Sequence, residues 1–304
     1  MSSAEDEIRH AAQLIRSGKL VAFPTETVYG LGANALDADA VRRIYEAKGR
    51  PASSPLIVHV AQVAMAKELA TEWSETAEQL AARFWPGPLT LVVPKHSSVP
   101  DIVTAGLPAV GLRVPAHSVA LRLMQLAGVP VAAPSANRFM QLSPTTADHV
   151  RAGLGDRVDM ILDGGPAQVG IESTVVSLTG ERPVVLRPGT ISLEELEAAT
   201  GTRWGNSGKP SIVTQAATES PGLHPRHYAP RTPFYVLQPE STPPEGRGRI
   251  LSFPADPMAY AARLYAALHE ADKEGWDWIA VEEPPQSAAW TGIRDRLRRA
   301  TTQL

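Results

Sequence analysis

Short apolar runs divide the first two hundred residues of this 304-residue chain. The runs are rich in β-branched residues, and several are bounded by Pro or Gly, which is typical of buried strands. They lie at residues 20–23, 56–60, 89–93, 110–114, 129–133, 159–162, 173–177 and 183–186. The pattern therefore predicts many short, sharply bounded strands.

Amphipathic stretches between these runs predict helices. In residues 37–48, for example, Ala38, Val41, Ile44 and Tyr45 have the spacing of one helical face. The other predicted helices lie at residues 5–17, 61–70, 74–84, 118–127 and 145–152. The first strand, the helix at 37–48 and the second strand predict a βαβ-like unit. Because strands and helices do not alternate strictly, we predict an α/β fold with a twisted mixed sheet and flanking helices rather than a barrel.

The pattern changes at about Gly201. The stretch 201–233 has little periodicity and is rich in Gly, Ser, Thr and Pro, as is typical of a linker. The elements predicted after it are strands at 249–253 and 276–281 and helices at 258–271 and 288–300. They indicate a small C-terminal α/β unit. The expected segments are a main domain at 1–200, a linker at 201–232 and a small domain at 233–304.

Charge and composition exclude several classes of protein. The formal net charge is −3, so the whole chain has no positive excess with which to bind nucleic acid. The last predicted helix carries Arg294, Arg296, Arg298 and Arg299, which we interpret as a solvated face. No apolar run approaches the roughly 20 residues of a membrane span, and the acidic first residues do not resemble a signal peptide. With no cysteine in the chain, we expect a cytoplasmic protein that does not contact membranes.

Polar residues cluster where the first predicted elements end. They are Thr25, Glu26, Thr27, Gly30 and Gly32 after the first strand, Lys48 and Arg50 at the end of the helix, and His59 inside the second strand. Each alone is explained as a turn, a helix cap or a core residue. Their density within about forty positions instead favours a pocket for a small polar ligand that carries phosphates.

Phosphate binding would depend on side chains, because the chain has neither a P-loop nor a convincing dinucleotide-binding motif. Lys48 offers a mobile point charge and Arg50 a planar fork, a pair suited to phosphate oxygens. Arg113 and Arg187, each beside a proline at a strand end, are candidates for the same cavity or for its rim. The turn at 135–137 could bind an anion through its backbone, or could be an ordinary Ser or Asn turn.

The histidines and serines give no sign of other chemistry. The eight histidines are scattered without metal-ligand spacing, so we expect no metal site made by the protein. The chain also lacks a Gly-x-Ser-x-Gly elbow, and an acyl-enzyme mechanism has no support.

Eight sequence blocks occur in an order that is typical of one family. They are FPTETVYGLG at 23–32, KGRP at 48–51, PLIVH at 55–59, WPGPLT at 85–90, VGLRVP at 110–115, APSAN at 133–137, ESTV at 172–175 and LRPG at 186–189. Together they resemble the threonylcarbamoyl-AMP synthase family, which is built on the YrdC-like domain. The resemblance covers roughly residues 5–200, and longer members of the family carry a similar linker and C-terminal domain.

This resemblance implies a definite reaction. L-Threonine, bicarbonate and ATP, with Mg²⁺ accompanying the ATP, give L-threonylcarbamoyl-AMP and pyrophosphate. The reaction is the first step of threonylcarbamoyladenosine formation in tRNA. The implied partners are downstream tRNA threonylcarbamoyl-transfer proteins, with a weak contact to tRNA itself.

The resemblance also assigns residues. Its threonine pocket matches Thr27, His59, Arg113, Ala133 and Ser173. Its nucleotide side matches Lys48, Arg50, Ser54, Ser135, Asn137, Ser143, Arg187, His227 and Tyr228. Lys48 and Arg50 are the expected catalytic residues, because cations neutralise the leaving pyrophosphate. The family often has Asn or Lys in place of Ser54.

The end of the linker has an unusual composition for a spacer. Between prolines, residues 220–230 contain His224, Arg226, His227 and Tyr228. We predict a lid that folds over bound nucleotide and excludes water. The alternative is a strap that docks the C-terminal unit.

Two other functions compete with the synthase. One is a double-stranded RNA- or tRNA-binding module without catalysis, which the net charge of −3 disfavours. The other is an accessory domain of a carbamoyl-transferase maturation protein. The absence of zinc-finger or acylphosphatase-like segments argues against it.

Overall fold

The computed structural model describes residues 3–204, 228–238 and 242–302. Nine short strands form one twisted sheet in the order β7-β1-β2-β6-β3-β5-β4-β8-β9. They are β1 Val21–Phe23, β2 Gly30–Asn34, β3 Ile57–His59, β4 Leu89–Pro94, β5 Ala109–Arg113, β6 Val131–Ala132, β7 Met160–Ile161, β8 Thr174–Ser177 and β9 Val184–Arg187. Some neighbours are parallel, such as β3 and β5, and others antiparallel, such as β4 and β5. The predicted mixed α/β sheet is confirmed.

Eight helices flank this sheet. They are α1 Ala4–Arg16, α2 Ala38–Lys48, α3 Val63–Glu68, α4 Glu75–Phe84, α5 Asp101–Thr104, α6 Ser118–Ala127, α7 Ala147–Leu154 and α8 Leu193–Thr200. The Asp37 side chain caps α2 by accepting from two backbone N–H groups, and Gly49 ends the helix at a φ of 61°. Glycine adopts this left-handed conformation at little cost, so the chain can turn sharply before Arg50.

The predicted βαβ-like unit was wrong about its first strand. The strand β2 lies between β1 and α2 and pairs antiparallel with β1, so α2 connects β2 rather than β1 to β3. The sequence Gly-Leu-Gly has low strand propensity, and it therefore favoured a loop. A Cβ on Gly32 would lie 2.7 Å from the Phe23 ring and 2.8 Å from Val131. Glycine is required here because an aromatic side chain packs directly on the strand backbone.

The two faces of the sheet are covered by different helices. Helices α1 and α6 pack together on one face, where Ile15, Phe23 and Leu123 are buried in the same cluster. The main cluster includes Ile44 of α2 and Val58 of β3. Strand alternation places Val58 on the face opposite Ile57 and His59. The burial of Val58 in the main cluster therefore places His59 on the opposite face of the sheet.

A second unit follows the linker. Its strands β10 Phe234–Leu237, β11 Gly248–Leu251 and β12 Trp278–Glu282 form a parallel sheet in the order β10-β12-β11. Its helices are α9 Pro257–Ala271 and α10 Thr291–Ala300. The sequence pattern missed β10. In the part of the chain that the structure describes, no helix is both long and apolar enough to cross a membrane.

The two units share a hydrophobic core. Tyr265 and Ile279 of the second unit belong to the same buried cluster as Val28, Leu142 and Ile171 of the first. Contact between the units is thus extensive and apolar. The exact domain limits of 200 and 233 stay a prediction, since most of the linker lies outside the described residues.

The arginines of α10 are only partly a solvated face, and the prediction was wrong for two of them. Arg296 is fully buried, and Arg299 is 8% exposed. Asp295 accepts from Arg299 at 2.9 Å, and Glu172 of the first unit accepts from Arg296 at 2.5 Å. Buried guanidinium groups are tolerated when carboxylates compensate them. The helix pattern could not show the compensation of Arg296 by Glu172, because Glu172 is distant in sequence.

Candidate functional site

A small cavity of about 50 Å³ lies over one face of the main sheet. Its wall combines loop residues and strand ends from both halves of that sheet, together with Tyr228 near the end of the linker. The lining residues are Thr25, Thr27, Val28, Gly30, Arg50, Ile57, His59, Arg113, Ala133, Pro134, Ser135, Glu172, Ser173, Arg187 and Tyr228. Three arginines, one histidine and several hydroxyl groups therefore converge on a single space.

Arg113, at the end of β5, is held on three sides. Its Nη2 donates to Oε1 of Glu26 at 2.7 Å, its Nη1 to the hydroxyl of Thr27 at 3.0 Å, and its Nε to the carbonyl of Gly87 at 3.2 Å. The other oxygen of Glu26 accepts from the Ala116 N–H at 3.0 Å. The charge of Arg113 is thus balanced, and its guanidinium fixes the position of the Thr27 hydroxyl.

Thr25 organises the turn between β1 and β2. Its hydroxyl donates to the carbonyl of Val28 at 2.6 Å and accepts from the N–H groups of Thr27 and Val28 at 3.2 Å each. This is the local hydrogen bonding typical of threonine in turns. Thr25 therefore shapes the pocket wall through the backbone that carries Thr27.

His59 is a buried neutral imidazole. Burial lowers its pKa to about 3, with the charge of Arg113 acting in the same direction. Its Nδ1 has no hydrogen-bond partner among the described residues, although the ring lines the cavity. An edge contact with Phe23 at 6.2 Å between ring centres orients the ring. Because buried polar atoms are rarely left unpaired, His59 is suited to a ligand hydrogen bond.

Arg187 and Ser173 form a second fixed pair. The Nε and Nη2 of Arg187 donate to the Ser173 carbonyl at 3.1 and 3.0 Å, and Nη2 also donates to the Ser173 hydroxyl at 3.0 Å. That hydroxyl lies 2.8 Å from the hydroxyl of Thr90. Both side chains are buried, so the cation and the hydroxyl are presented together.

Arg50 is held less completely. Its Nη2 donates to the Pro55 carbonyl at 3.1 Å, while its buried Nε meets no acceptor in residues 3–204, 228–238 and 242–302. Burial is the main cause that lowers the pKa of its guanidinium. A buried guanidinium with an unused donor in a cavity wall is suited to an anionic ligand.

Comparison with known proteins agrees with this arrangement. The Telomere recombination family matches residues 13–189, and the threonylcarbamoyl-AMP synthase C-terminal domain matches residues 191–302. The threonylcarbamoyl-AMP synthase of Pyrococcus abyssi is 43% identical over 98% of this chain and 94% of its own length. That of Bacillus subtilis is 40% identical, over 99% of this chain and 94% of its own length.

The chain belongs to the threonylcarbamoyl-AMP synthase family. The crystal structure of P. abyssi Sua5 complexed with L-threonine has a TM-score of 0.86 to this protein, with 42% identity over 98% of this chain and 94% of that one. The family, the fold and the enzyme class predicted from the sequence are confirmed.

Several residues that the family resemblance assigns to the nucleotide do not line the cavity. Lys48 donates to the carbonyls of Ser135 and Asn137, both at 2.5 Å. The Ser54 carbonyl accepts from the Tyr45 hydroxyl at 2.9 Å, and the Ser143 hydroxyl donates to Glu172 at 2.5 Å. Asn137 contributes to a separate cavity beside the second unit. Their assignment as nucleotide ligands stays a prediction.

The remaining members of the predicted set fall into two groups. Those in the cavity wall are Thr27, Arg50, His59, Arg113, Ala133, Ser135, Ser173, Arg187 and Tyr228. His227 lies outside the described residues, so its predicted role is not addressed by the structure.

Replacing Lys48 by Met is expected to lower both stability and activity. Lys48 is buried and holds the 135–137 turn through two carbonyls. Its loss leaves the Ser135 carbonyl with only the Asn137 N–H, and the Asn137 carbonyl with no donor among the described residues. A carbonyl without a donor costs about 1–3 kcal/mol when it stays buried. A helix-end cation that interacted only with the helix dipole would contribute less, about 1 kcal/mol. Thermal denaturation and pyrophosphate release measure the two effects.

The matched control for Lys48 is Lys67→Met, which removes an exposed lysine paired with Glu78. It should leave both quantities near those of the wild type. An unchanged melting temperature in Lys48→Met together with lost activity would instead assign Lys48 directly to the phosphates.

Tyr228, which the family resemblance assigned to the nucleotide, and Glu172 are supported from behind by residues of the second unit, and the sequence did not predict these contacts. Tyr228 is buried at a φ of 61°, with its ring centre 6.0 Å from that of Tyr265 and 5.4 Å from the guanidinium carbon of Arg296. Glu172 accepts from Tyr265 at 3.2 Å and from Arg296 at 2.5 Å. Glu172 belongs to the family block at 172–175, but the resemblance assigned no role to it. The sequence did not indicate that Arg296 is buried.

Proposed function

We propose that this protein converts L-threonine, bicarbonate and ATP into L-threonylcarbamoyl-AMP and pyrophosphate. The observation that carries the proposal is the single cavity in which Arg50 and Arg187 face the hydroxyls and neutral imidazole of Thr27, Ser173 and His59. Cations suit a triphosphate, and the uncharged polar groups suit a small hydroxyl-bearing amino acid. The threonine complex of the P. abyssi relative supports this choice of amino acid.

The reaction needs no nucleophile from the protein. The threonine amine attacks bicarbonate and gives a carbamate with loss of water. A carbamate oxygen then attacks the α-phosphorus of ATP, and pyrophosphate leaves with the bonding electrons of the broken P–O bond. The side chains therefore act by holding the reactants close and by stabilising negative charge.

The threonine side of the cavity is assigned to Thr27, His59, Arg113, Ala133 and Ser173. Since its pKa is about 3, His59 is neutral at physiological pH and can exchange a hydrogen bond without adding charge. Among the described residues, three of the five N–H donors of Arg113 are bonded to the protein, so further donors can serve substrate.

The nucleotide side is assigned to Arg50, Ser135, Arg187 and Tyr228 of the cavity wall, whereas Lys48, Ser54, Asn137 and Ser143 are not part of that wall. Arg50 acts as the catalytic cation, and Lys48 acts through the 135–137 turn that it holds. A cavity of about 50 Å³ is smaller than the roughly 300 Å³ of ordinary ligand pockets, so we infer that Tyr228 moves when ATP enters. The lid role of the rest of the linker stays a prediction.

Magnesium belongs to this proposal as a companion of ATP. Within the described ranges, no group of three or more His, Cys, Asp or Glu side chains could hold a metal ion. The nearby carboxylates Glu26 and Glu172 are engaged by Arg113 and Arg296. These residues fit an ion that is held by phosphates and water, where it would neutralise phosphate charge.

The proposed partners and location follow from the product. Threonylcarbamoyl-AMP is a hydrolysable mixed anhydride, and we propose that downstream tRNA threonylcarbamoyl-transfer proteins consume it in the cytoplasm. Contact with tRNA is proposed to be weak, because the chain has a net charge of −3. The RNA-binding alternative has no specific observation in its favour.

Pyrophosphate release is expected to require threonine and bicarbonate together. The purified full chain is incubated with ATP and Mg²⁺, and threonine or bicarbonate is omitted in turn. Both omissions should reduce pyrophosphate to background, because the carbamate that attacks ATP needs both compounds. Equal release without threonine would overturn the proposal and indicate a nucleotide hydrolase.

A further inference from the structure

The last helix of the chain reaches the wall of the cavity through one arginine. Arg296 of α10 is fully buried, and its Nε donates to Oε2 of Glu172 at 2.5 Å. Its terminal nitrogens donate to the carbonyls of Glu172 at 3.2 Å and Pro188 at 3.0 Å. Glu172 directly precedes Ser173 in the chain, and Pro188 directly follows Arg187. Arg296 therefore holds the two segments that present a proposed threonine ligand and a proposed phosphate ligand.

The close approach of α10 to this wall is built into the backbone. A Cβ on Gly292 would lie 2.3 Å from the carbonyl oxygen of Gly189, so only glycine fits at this crossing. The helix consequently lies against the segment that follows β9. This contact fixes the depth at which Arg296 enters the first unit.

Glu172 is the cavity-lining carboxylate that Arg296 balances. Its Oε1 accepts from the Ser143 hydroxyl at 2.5 Å, and its Oε2 accepts from Tyr265 and Arg296. Burial alone would raise the pKa of this carboxyl, but the positive charges of Arg296 and Arg187 outweigh burial and lower the pKa. Glu172 is thus a buried anion in the same wall as the proposed triphosphate ligands.

An uncompensated carboxylate in this wall would oppose ATP binding. It would repel phosphate oxygens and attract Arg187, which lines the same cavity. With an effective permittivity of about 20, one charge changes anion affinity by roughly tenfold at a distance of about 10 Å and by a few hundredfold at about 5 Å. The other acid near Arg296 is Asp295, which also binds Arg298 and Arg299.

We propose that Arg296 is a positioning residue from the second unit that neutralises Glu172 and so keeps the cavity positive enough to bind ATP. The inference rests on the proposed function, because it names the residue that tunes the triphosphate side of the same site. It also gives the C-terminal unit a defined electrostatic role in the reaction.

The first test is Arg296→Met in the full chain, with pyrophosphate release measured against ATP concentration. We expect the KM for ATP to rise about tenfold or more, while the KM for threonine changes less. The matched control is Arg298→Met, which removes an arginine of the same helix that is 74% exposed and bonded to Asp295. The control should stay within about twofold of the wild type.

The second test separates charge from mechanical support. The double variant Glu172→Gln, Arg296→Met has neither charge, and we expect it to recover most of the lost ATP affinity. Arg296→Lys keeps the charge but loses the planar fork, and its KM for ATP should stay within about threefold of the wild type. If Arg296→Met does not fold, these two variants decide the question.

An unchanged KM for ATP in folded Arg296→Met would overturn the proposal. A tenfold increase in the KM for ATP of folded Arg296→Lys would also overturn it, as would a folded double variant whose KM for ATP is no lower than that of Arg296→Met. Either result would show that Arg296 supports the structure mechanically rather than through its charge. The wild type in the same assay tests the proposed function separately. Its failure to release pyrophosphate would refute that function and leave the ion pair unassigned.

Discussion

Valine is expected to be used about 10⁴-fold less efficiently than threonine, measured as kcat/KM for pyrophosphate release. Valine has nearly the shape of threonine but carries a methyl group in place of the hydroxyl. The proposed threonine pocket offers the Thr27 and Ser173 hydroxyls and the Nδ1 of His59, all of them buried. Binding valine would leave the Nδ1 of His59 without a hydrogen bond in a site closed to water, which costs far more than a lost apolar contact.

Serine is the matched control for this discrimination. It keeps the hydroxyl and lacks only the methyl group, whose loss typically costs about 10- to 200-fold. We therefore expect the order threonine, serine, valine at saturating ATP and bicarbonate. Comparable kcat/KM for threonine and valine would refute the assignment of Thr27, His59 and Ser173 to the amino acid.

Replacing Arg50 by Met is expected to lower kcat by about 10²- to 10³-fold without a loss of stability. Arg50 lines the cavity, and its buried Nε lacks a partner in the described part of the chain. Removing it takes away charge stabilisation of the leaving pyrophosphate. It also relieves the cost of a buried cation, which offsets the lost hydrogen bond to Pro55. Kinetics and thermal denaturation of the same preparation test both parts.

Arg42→Met is the control for Arg50. Arg42 lies on α2, near Arg50 in the chain, but it is exposed and pairs with Asp39. Its replacement should leave kcat and the melting temperature nearly unchanged. A folded Arg50→Met protein with near-normal kcat would contradict the proposed catalytic role.

Sequence patterns predicted most elements of the main sheet because its strands are short, apolar and sharply bounded. They missed β2, whose glycines allow Phe23 to pack on its backbone, since propensity alone indicates a turn there. The convergence of Arg50, His59, Arg113 and Arg187 could be anticipated from their places at element ends and from the family blocks. The sequence could not show which of these side chains form hydrogen bonds with one another.

Lys48 and Arg296 show why such pairings escape prediction. The acceptors of Lys48 lie 87 and 89 residues further along the chain, and Glu172, the first-unit carboxylate that pairs with Arg296, lies 124 residues before it. A lysine at a helix end and an arginine on an amphipathic helix have the same local pattern whether they face water or a buried acceptor. Only the folded topology decides between these outcomes.

The shared hydrophobic core has a consequence for how this protein can be dissected. A fragment ending near residue 200 would leave Val28, Leu142 and Ile171 without the apolar side chains that now cover them. It would also leave Glu172 without Arg296. A fragment that exposes this apolar surface to water is expected to aggregate. Inactivity of a truncated catalytic half would therefore report a damaged fold, and only full-length point variants can separate the contribution of the linker from that of its scaffold.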